Sequence, residues 1–414
     1  MITASRGTQD FYGEDCERLS HLESIARNCL QQFNFKEIRT PIFEDSALFT
    51  RGVGENNDVV KKEMYRFKDK GNRDLTLRPE GTASVIRSII QHQLYRNVQR
   101  LFYIGPFFRY ERPQAGRFRQ FHQIGAELIG EKSAYADFVV MDIAYKLFKK
   151  LGINDLYSSL NTIGDHTCKP QITTLIKSFF HTHHSKLSEH EKETLDKNPL
   201  RLLDTKNKSI QILLENLPDI RSVLNQESLD HFSLVCSLLK HAKIPFKIDP
   251  LLVRGLDYYT HTTFEIRSEK LGSQSALCGG GRYDNLIEIL GGKSTPSVGF
   301  AFGVERLLLL TKNTNIENNR PKIAFIALGK KSVFKAISLL ATIRKEGDQI
   351  FALFEYTKLD KALRQANRDQ ADYCIILGEN ELKNNELIFK NLVTGSQKKT
   401  HYNEFSNQLK IIRK

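Results

Sequence analysis

The stretch Tyr103–Glu127, which reads YIGPFFRYERPQAGRFRQFHQIGAE, decides the architecture of this chain. It begins as an apolar strand that ends at Arg109, and a second alternating apolar run starts at Phe121. The loop between them is rich in arginine, whose planar and permanently charged fork binds phosphate oxygens in pairs. The stretch therefore predicts two paired strands whose loop suits a polyphosphate laid along a sheet, with Phe121 as an aromatic face for a base.

The length and composition indicate a folded protein of several domains. At 414 residues the chain is long enough for about two to three domains, each with its own core. No apolar run reaches the length of a membrane span, and the start MITASRGTQDF lacks the pattern of a signal peptide, so we expect a cytoplasmic protein with no membrane partner. Six scattered cysteines without a CxxC pair argue against a zinc knuckle and a disulfide framework.

The charge of the chain favours a polyanionic partner. The formal net charge is +13 at pH 7. The last part, 321–414, has 17 Lys and Arg against 10 Asp and Glu, so it carries more than half of this excess in under a quarter of the chain. Charge alone does not say which polyanion is bound, and a basic surface without a partner remains the alternative.

Hydrophobic spacing predicts the elements of the first 320 residues. A helix over Glu14–Phe33 leads into a strand over Phe35–Phe43, in which Pro41 is tolerable only at an edge or an end. The segment at about 165–242 has helical spacing, few glycines and no apparent catalytic pattern, which indicates a helical insertion. Further strands and helices are predicted at Met64–Phe67, Leu75–Leu77, Ala83–Gln91, Asp137–Leu151, Lys247–Asp249, Thr262–Ile266, Ala276–Gly279, Ser297–Phe302 and Gly303–Leu310.

The last part of the chain predicts a separate α/β domain. An Asn-rich break, TKNTNIENNRP, ends at Pro321 and has the composition of a linker. Beyond it, strands alternate with helices, which is typical of a small parallel sheet. The predicted elements are Ile323–Leu328, Lys331–Lys345, Gln349–Phe354, Leu359–Gln370 and Tyr373–Leu377.

Three blocks together resemble the sequence motifs of the class II aminoacyl-tRNA synthetases. Motif 2 of these enzymes is an Arg–x–Glu, a loop and an Arg–x–x–x–Phe, which Arg109–Glu111 and Arg117–Phe121 match without a gap. Motif 1 is a long helix leading into a strand with a proline, as in Glu14–Phe43, and it builds a homodimer interface. Motif 3 is a small-residue strand that turns into a helix with an arginine, as in Gly299–Leu307 with Arg306.

Four further blocks resemble the histidyl-tRNA synthetase family, of subclass IIa. The most specific is RGLDYY, followed by a Thr–x–Phe–Glu strand, and the others are RGTQDF, LRPEGT and CGGGRYD; they lie at Arg254–Tyr259, Arg6–Phe11, Leu77–Thr82 and Cys278–Asp284. The resemblance implies an α+β catalytic domain over 1–320 with an antiparallel sheet and the helical insertion, and an anticodon-binding α/β domain over 321–414. It implies that the chain activates L-histidine with ATP and transfers it to tRNA(His).

Charge neutralisation at ATP is the first task of such a site. A carboxylate must attack the α-phosphorus while pyrophosphate leaves in line, so positioned cations carry the catalysis. Arg109 lies where the strand ends and suits the α-phosphate, and Arg117 and Arg306 suit the γ-phosphate end. Phe121 would stack the adenine and Glu111 would accept from its exocyclic amine. We expect Mg²⁺ to bridge the ATP phosphates and no separate protein-bound metal.

The histidine end needs partners for an imidazole, an α-ammonium and a carboxylate. A neutral imidazole has one donor and one acceptor, so Glu127 would accept from its N–H and Tyr259 would serve the other nitrogen. Arg254, a charge among apolar neighbours, is expected near the α-phosphate and the carboxylate as a catalytic residue, together with Arg109 and Arg306. The other residues expected around histidine are Glu80, Thr82, Gln123, Tyr258 and Tyr283.

The resemblance also implies a contact with the acceptor end of the tRNA. Its candidates are Arg112 and Gln114, in the loop that adjoins the reacting phosphate. Three alternatives remain open. They are a regulatory subunit of an ATP phosphoribosyltransferase, which has the same catalytic fold without aminoacylation, a non-catalytic RNA-binding module, and a class IIa enzyme for threonine, proline or glycine. The intact arginines argue against a regulatory subunit, and the paired tyrosines argue against a non-catalytic RNA-binding module. The RGLDYY block argues against a class IIa enzyme for another amino acid.

Overall fold

A computed structural model describes residues 1–55, 57–114, 116–268, 276–311, 321–343 and 349–412. The chain divides into two compact units, Met1–Asn315 and Ile316–Lys414. The predicted linker lies almost entirely at 312–320, outside the described residues. Among the described helices, none combines the length and the apolar character that a membrane crossing needs.

The first unit is built on an eight-stranded sheet. The strand order is β1-β5-β6-β11-β10-β9-β7-β8, and all neighbours are antiparallel except the outer pairs β1–β5 and β7–β8. A small antiparallel sheet, β2-β4-β3, accompanies it. The strands are β1 Lys36–Glu37, β2 Phe43–Asp45, β3 Tyr65–Lys68, β4 Asp74–Leu77, β5 Gln99–Phe108, β6 Gln120–Ile129, β7 Leu156–Thr162, β8 Phe246–Ile248, β9 Thr260–Ser268, β10 Ala276–Arg282 and β11 Ser297–Gly303.

One face of the large sheet is an apolar core. Phe102, Phe264 and Phe300 are almost fully buried there against the long helices of the unit, because alternate residues of a strand share a face. The other face is left for the polar groups described below. The helices outside the insertion are α1 Glu14–Gln32, α2 Ser46–Val53, α3 Thr82–Gln91, α4 Ala134–Lys150, α9 Leu286–Ile289 and α10 Val304–Leu310.

The segment between β7 and β8 is helical, as predicted, and has its own apolar cluster. Ile172, Phe180, Leu202 and Ile210 are buried in that cluster. We call this segment, Asp165–Ala242, the insertion. Its elements are the α-helices α5 Lys169–His181, α6 Glu189–Lys197, α7 Lys208–Leu214 and α8 Gln226–His241, and the 3₁₀ helices His184–Lys186, Pro199–Asp204 and Ile220–Val223.

The second unit is an α/β domain whose sheet order is β13-β12-β14-β15-β16. The first three strands are parallel, as predicted, and β15 and β16 extend the sheet antiparallel, which the sequence analysis missed. The end of the predicted helix at Lys345 lies outside the described residues. The elements are β12 Lys322–Ala327, α11 Lys330–Ile343, β13 Gln349–Leu353, α12 Leu359–Arg368, β14 Tyr373–Leu377, α13 Glu379–Asn384, β15 Glu386–Asn391, β16 Gln397–His401 and α14 Phe405–Ile412.

Two predictions for the first unit were wrong. The strand expected over Phe35–Phe43 is two short strands in different sheets, β1 and β2, and Pro41 lies between them. Proline has no backbone N–H for the ladder, and the carbonyl of Thr40 instead accepts from the guanidinium of Arg78 at 3.0 Å. Strand β7 was missed, because its sequence LYSSLNT has polar residues on both faces and no alternation to detect.

Candidate active site

A row of small residues crosses the open face of the large sheet. Tyr103 on β5 pairs with Gly125, Gly125 with Ala301, Ala301 with Gly279, and Gly279 with Glu265 on β9. Residues directly opposite in a ladder lie on the same face. A tyrosine and a carboxylate therefore stand at the two ends of a shallow floor that has almost no side chains of its own.

Functional side chains lie flat on this floor. A Cβ atom at Gly279 would be 1.9 Å from Nη2 of Arg254, and one at Gly299, in the next row, would be 1.8 Å from Oε2 of Glu127. Both separations are far below any real contact, so only glycine admits the arginine and the carboxylate at these positions. The glycines of CGGGRYD and of motif 3 thus provide room for the site.

Glu127 is the most buried acid of the site, with 1% of its surface exposed. Its Oε1 accepts from the Thr82 hydroxyl at 2.7 Å, and its Oε2 accepts from the Tyr283 hydroxyl. Burial raises the pKa of Glu127 to about 8, against the lowering by both hydroxyls, and the charge of Glu80 raises it further. The predicted partners Glu127, Thr82 and Tyr283 are therefore in direct contact, although they come from three distant blocks of sequence.

Glu80 caps the helix that follows it. Its carboxylate accepts from the backbone N–H of Thr82 at 2.7 Å and of Ala83 at 2.8 Å. Helix α3 begins at Thr82 behind Gly81, which has no side chain, and the carboxylate satisfies N–H groups that would otherwise be unpaired. Burial raises the pKa of Glu80, while these N–H bonds and the charge of Arg109 lower it.

Three buried polar atoms of the site have no hydrogen-bond partner within the described part of the chain. They are Oη of Tyr103, Oε1 of Gln123 and Nε of Arg254. An unsatisfied buried group costs about 1–3 kcal/mol, and natural proteins keep few of them. Three such atoms around one floor are typical of a polar ligand site in which the ligand supplies the missing partners.

Arg254 is held over the floor by Glu265, to which its Nη1 donates. The other oxygen of Glu265 binds Arg267, with an Nη2–Oε2 distance of 2.9 Å. Burial lowers the pKa of Arg254, but the negative charge of Glu265, with smaller contributions from Tyr259 and Cys278, leaves that pKa raised, so the guanidinium stays charged. One quarter of its side chain is exposed, towards the cleft described below.

The tyrosines of RGLDYY and CGGGRYD form one aromatic group. The ring centroids of Tyr258 and Tyr259 are 4.8 Å apart, and those of Tyr258 and Tyr283 are 5.5 Å apart in an edge-to-face arrangement. Burial raises the pKa of all three hydroxyls, so they remain neutral and can donate hydrogen bonds. Tyr259 lies against Gly281, where a Cβ would be 2.8 Å from its ring.

The motif 2 residues form the second half of the site. Arg109 donates from Nε to the Pro79 carbonyl at 2.8 Å, and its guanidinium lies 5.6 Å from the centre of the Phe121 ring. Glu111 lies between two arginines, with its carboxylate oxygens 3.8 Å from Arg109 and 3.3 Å from Arg117. All four predicted ATP residues of this motif are therefore neighbours.

Arg306, at the start of α10, lies close to Arg117. Burial is the main cause that lowers the pKa of Arg306, and the positive charge of Arg117 lowers that pKa further. Its Nη1 donates to the Ala276 carbonyl at 2.6 Å. Two arginines from different elements within each other's field form a site for an anion, because a phosphate between them removes their repulsion.

The motif 2 loop ends in a tight turn. The backbone groups of Gln114 and Arg117 bond each other in both directions, at 3.2 and 2.8 Å. Gly116, with φ of 71°, packs at this turn, where a Cβ would be 3.1 Å from Leu309 on α10. Arg112 and Gln114, the predicted acceptor-end residues, are exposed.

A cleft of about 980 Å³ lies between this site and the insertion. Its wall includes Arg109, Glu111, Arg117, Arg254 and the Tyr258–Tyr259 pair. The remaining predicted residues are not part of its wall: Glu80, Thr82, Phe121, Gln123, Glu127, Tyr283 and Arg306. Across residues 1–55, 57–114, 116–268 and the later described ranges, no group of three His, Cys, Asp or Glu side chains is arranged to hold a metal ion.

The family of the chain follows from two comparisons with family models. Residues 7–307 match the model of histidyl-tRNA synthetase, and residues 322–411 match the model of an anticodon binding domain. The chain belongs to the histidyl-tRNA synthetase family. This is the family that the sequence blocks resemble. The predicted fold class is also confirmed.

Individual relatives of this family cover nearly the whole chain. The histidine–tRNA ligase of Dictyoglomus thermophilum is 44% identical over 397 residues and 95% of each chain, and that of Halothermothrix orenii is 42% identical over 96% of each. The crystal structure of apo S. aureus histidyl-tRNA synthetase has a TM-score of 0.83, with 33% identity over all of both chains.

Sequence reasoning missed two residues of this site, Tyr103 and Glu265. Tyr103 lies between Gly81 and Gly125, where a Cβ would be 2.2 and 2.3 Å from its ring. Its only signal in the sequence is a tyrosine within an otherwise apolar strand, β5. Glu265 was seen only as part of the Thr–x–Phe–Glu block, and its contact with Arg254 requires the fold of the intervening loop.

Proposed function

We propose that this protein is a histidine–tRNA ligase that forms histidyl-adenylate and pyrophosphate from histidine and ATP, and then transfers histidine to the 3′ end of tRNA(His). One observation carries the proposal. A buried polar floor with three unpaired atoms adjoins arginines from motif 2, motif 3 and RGLDYY. Such a floor suits a small, polar and partly cationic ligand, and the arginines suit a polyphosphate beside it.

The amino acid would bind in the buried half. Glu127 accepts from one imidazole nitrogen and Tyr259 serves the other, which matches the one donor and one acceptor of a neutral imidazole. The α-ammonium would be surrounded by Glu80, Thr82 and the unpaired Oε1 of Gln123. The Tyr283 hydroxyl, which donates to Glu127, holds that carboxylate in the orientation that accepts from the ring.

The reaction would take place between Arg254 and Arg109. An oxygen of the histidine carboxylate forms a bond to the α-phosphorus, and the bond from that phosphorus to the bridging oxygen of pyrophosphate breaks. Arg254 and Arg109 neutralise charge at the carboxylate and α-phosphate, and Arg117 and Arg306 hold the γ-phosphate end. Phe121 stacks the adenine and Glu111 accepts from its amine, as in the family pattern.

Mg²⁺ fits the site as a partner of the ATP phosphates. The described residues hold no ready cage, and Mg²⁺ at nucleotides keeps mostly water and phosphate oxygens as ligands. Glu63 and Glu111, which line the cleft together with Arg109 and Arg117, are carboxylates that such an ion would meet there. The ion would neutralise the charge of the pyrophosphate.

The tRNA would bind at two places. The exposed Arg112 and Gln114 suit the acceptor end, because the motif 2 loop adjoins the reacting phosphate. We propose two domains, a catalytic domain over 1–320 and a second domain over 321–414. The second domain would bind the anticodon. Support for this comes from its match to an anticodon binding domain and from its net charge of +7.

A homodimer would form through the region Glu14–Phe43, with Phe43 and the exposed face of the small sheet as its apolar surface. On this face Phe43, Leu77 and Tyr65 lie opposite one another, and in the next row Leu75 lies between Phe67 and Asp45, so the face is apolar apart from Asp45. Phe43 is 55% and Phe67 42% exposed, which leaves them available to a partner. The apolar residues of α1 are instead buried in the core beneath the large sheet. The expected result is that Phe43→Lys sediments as a monomer, while the control Ile212→Lys, also at an exposed apolar position, leaves the dimer intact.

The proposed location is the cytoplasm, where tRNA is charged. The described cysteines are all free, which fits a reducing compartment. The alternative of a regulatory subunit has no support. A Bacillus halodurans structure titled as an ATP phosphoribosyltransferase regulatory subunit/histidyl-tRNA synthetase is 21% identical, covers 91% of this chain and 98% of its own, and has a TM-score of 0.67, which shows only a shared fold.

The test is ATP–pyrophosphate exchange with each standard amino acid, followed by charging of tRNA(His). We expect Mg²⁺-dependent exchange with histidine alone and transfer of histidine to the tRNA. Exchange with threonine, proline or glycine would assign the protein to another class IIa specificity. No exchange with any amino acid would contradict the proposal and favour a non-catalytic role.

A further inference from the structure

The loop that carries Arg254, Tyr258 and Tyr259 has no regular secondary structure of its own. It runs over Val253–Tyr259, between β8 and β9, and its side chains reach the glycine floor. An irregular loop is positioned by the contacts that its backbone and polar side chains make with neighbouring elements. We call this segment, Val253–Tyr259, the RGLDYY loop.

The RGLDYY loop is held on one side by the catalytic unit itself. Asn57, which is 1% exposed, donates from Nδ2 to the Gly255 carbonyl at 2.7 Å. The backbone N–H of Asp257 donates to the Val53 carbonyl at 3.4 Å. These bonds come from the end of α2 and the segment after it, and they fix one edge of the loop.

The other side is held by the insertion. Asp257 Oδ1 accepts from Asn198 Nδ2 at 3.0 Å and from Arg201 Nε at 3.2 Å, and Arg201 Nη2 also donates to the Gly255 carbonyl at 3.3 Å. About a fifth of each charged side chain is exposed, 21% for Arg201 and 22% for Asp257. A charge-assisted, partly buried contact of this kind is stronger and more directional than a surface ion pair.

We propose that Arg201 and Asn198 are positioning residues through which the insertion clamps the RGLDYY loop, and thereby sets the position of Arg254 and Tyr259 on the glycine floor. The inference rests on the proposed function of that loop in adenylate formation. Arg201 acts through Asp257 and the Gly255 carbonyl, with Asp58 a further 4.0 Å ion-pair partner, and Asn198 acts through Asp257. The insertion is thus a functional part of the site, and a motion of the insertion away from the cleft releases one of the two edges of the loop.

The clamp predicts a specific pattern of kinetic losses. Arg201→Ala should lower the single-turnover rate of adenylate formation by about 10- to 100-fold, since small misplacements of a reacting group have effects of this order. The histidine KM should rise, because Tyr259 moves with the loop. The ATP KM should stay within about twofold, because Arg117 and Arg306 lie outside the loop and outside the clamp.

The matched control is Arg221→Ala. Arg221 is another arginine of the insertion, 26% exposed and paired with Asp219, but its carboxylate partner lies inside the insertion. If Arg201 merely stabilised the insertion, the two variants would lower the melting temperature and the activity alike. The clamp requires that Arg201→Ala loses activity at a temperature where both variants are folded, and that Arg221→Ala keeps it.

A double-mutant cycle decides whether the contact with Asp257 carries the effect. Arg201→Ala, Asp257→Ala and the double variant are compared in single-turnover adenylate formation, with Arg201→Lys as a milder variant that keeps the charge. The clamp predicts that the double variant is no slower than the slower single variant. Losses that multiply, or an Arg201→Ala rate equal to that of Arg221→Ala, would overturn it. Wild-type protein without histidine-dependent exchange would instead overturn the proposed function.

Discussion

The two halves of the site differ in burial and in how their charges are satisfied. In the histidine half, Glu127 is 1% exposed and lies against Gly299, a position that admits no other residue. In the phosphate half, Arg117 is 45% exposed and its partner Glu111 lies on a loop. The buried half can discriminate, because an unmatched polar group there has no water to replace its partner. The exposed half supplies positive charge. Its proposed contacts are with groups that every ATP molecule has, so it does not select between amino acids.

The largest effect should come from the residue that lies between the halves. Arg254→Ala should lower the rate of adenylate formation by about 10²–10³-fold while weakening histidine binding only modestly, because the guanidinium meets charge that develops in the transition state. Lysine should substitute poorly, since a point charge cannot span carboxylate and phosphate. The measurement is single-turnover adenylate formation beside equilibrium histidine binding.

Arg267→Ala is the control for Arg254→Ala. Arg267 binds the same carboxylate, Glu265, but the side-chain atoms nearest to the floor glycines belong to other residues of the described chain. Its loss should leave the single-turnover rate within a few-fold of wild type. If Arg254→Ala instead lost histidine affinity and kept its rate, Arg254 would be a binding residue and the catalytic assignment would be wrong.

A smaller effect, confined to the histidine half, is expected for the two residues proposed to bind the imidazole. Glu127→Gln and Tyr259→Phe should raise the histidine KM by about 5- to 150-fold, the equivalent of one unpaired buried group, and should leave the ATP KM unchanged. Steady-state exchange at varied histidine and at varied ATP separates the two constants. A rise in the ATP KM of similar size would show that the two halves are not independent.

The second unit should affect only tRNA. A chain that ends before Pro321 should form adenylate at the wild-type rate, and its KM for tRNA should rise on the order of tenfold, because it lacks the +7 charge. The salt dependence of charging should become shallower. Equal charging by the truncated and full-length chains would contradict the anticodon assignment.

The smallest effect concerns pH. The pKa of Glu127 is raised to about 8, so the unliganded carboxyl is mostly protonated at pH 7, and its ionised form is the one expected to bind, since a carboxylate accepts from an N–H more strongly than a neutral carboxyl. Histidine affinity should therefore improve about fivefold from pH 7 to pH 8, as the ionised fraction rises, and Glu127→Gln should remove this dependence. Titration calorimetry at several pH values measures it. A flat wild-type profile would show that ionisation of Glu127 is not linked to binding.

Much of the fold could be predicted from sequence because its signals are local. The paired strands around Arg109, the helix at Glu14–Gln32 and the α/β alternation after Pro321 each depend on spacing within one segment. The break at Pro41 and strand β7 could not be predicted in this way, since long-range contacts determine the first and polar residues on both faces conceal the second.

The functional residue types of the site could be predicted from the sequence, but the structural elements that hold them in place could not. The motifs identify Arg109, Glu127 and Arg254, because each is a charged residue that the packing of its sequence neighbours does not explain. The glycine floor depends on the register of five strands, and the contact between Arg201 and Asp257 joins residues 56 positions apart. Neither has a signal in one sequence, because a glycine or a surface arginine has many ordinary uses.

The central claim is that the buried half selects histidine by bonding both imidazole nitrogens, and exchange with methylated histidines tests it most directly. Histidine, its two ring N-methyl derivatives and phenylalanine are compared by the rate of ATP–pyrophosphate exchange at equal concentrations. We expect histidine to be preferred over phenylalanine, which pairs with neither group, by about 10⁴-fold or more, and over each N-methylhistidine, which leaves one buried group unpaired, by at least about 5- to 150-fold. Exchange with either N-methylhistidine at a rate close to that of histidine would contradict the claim.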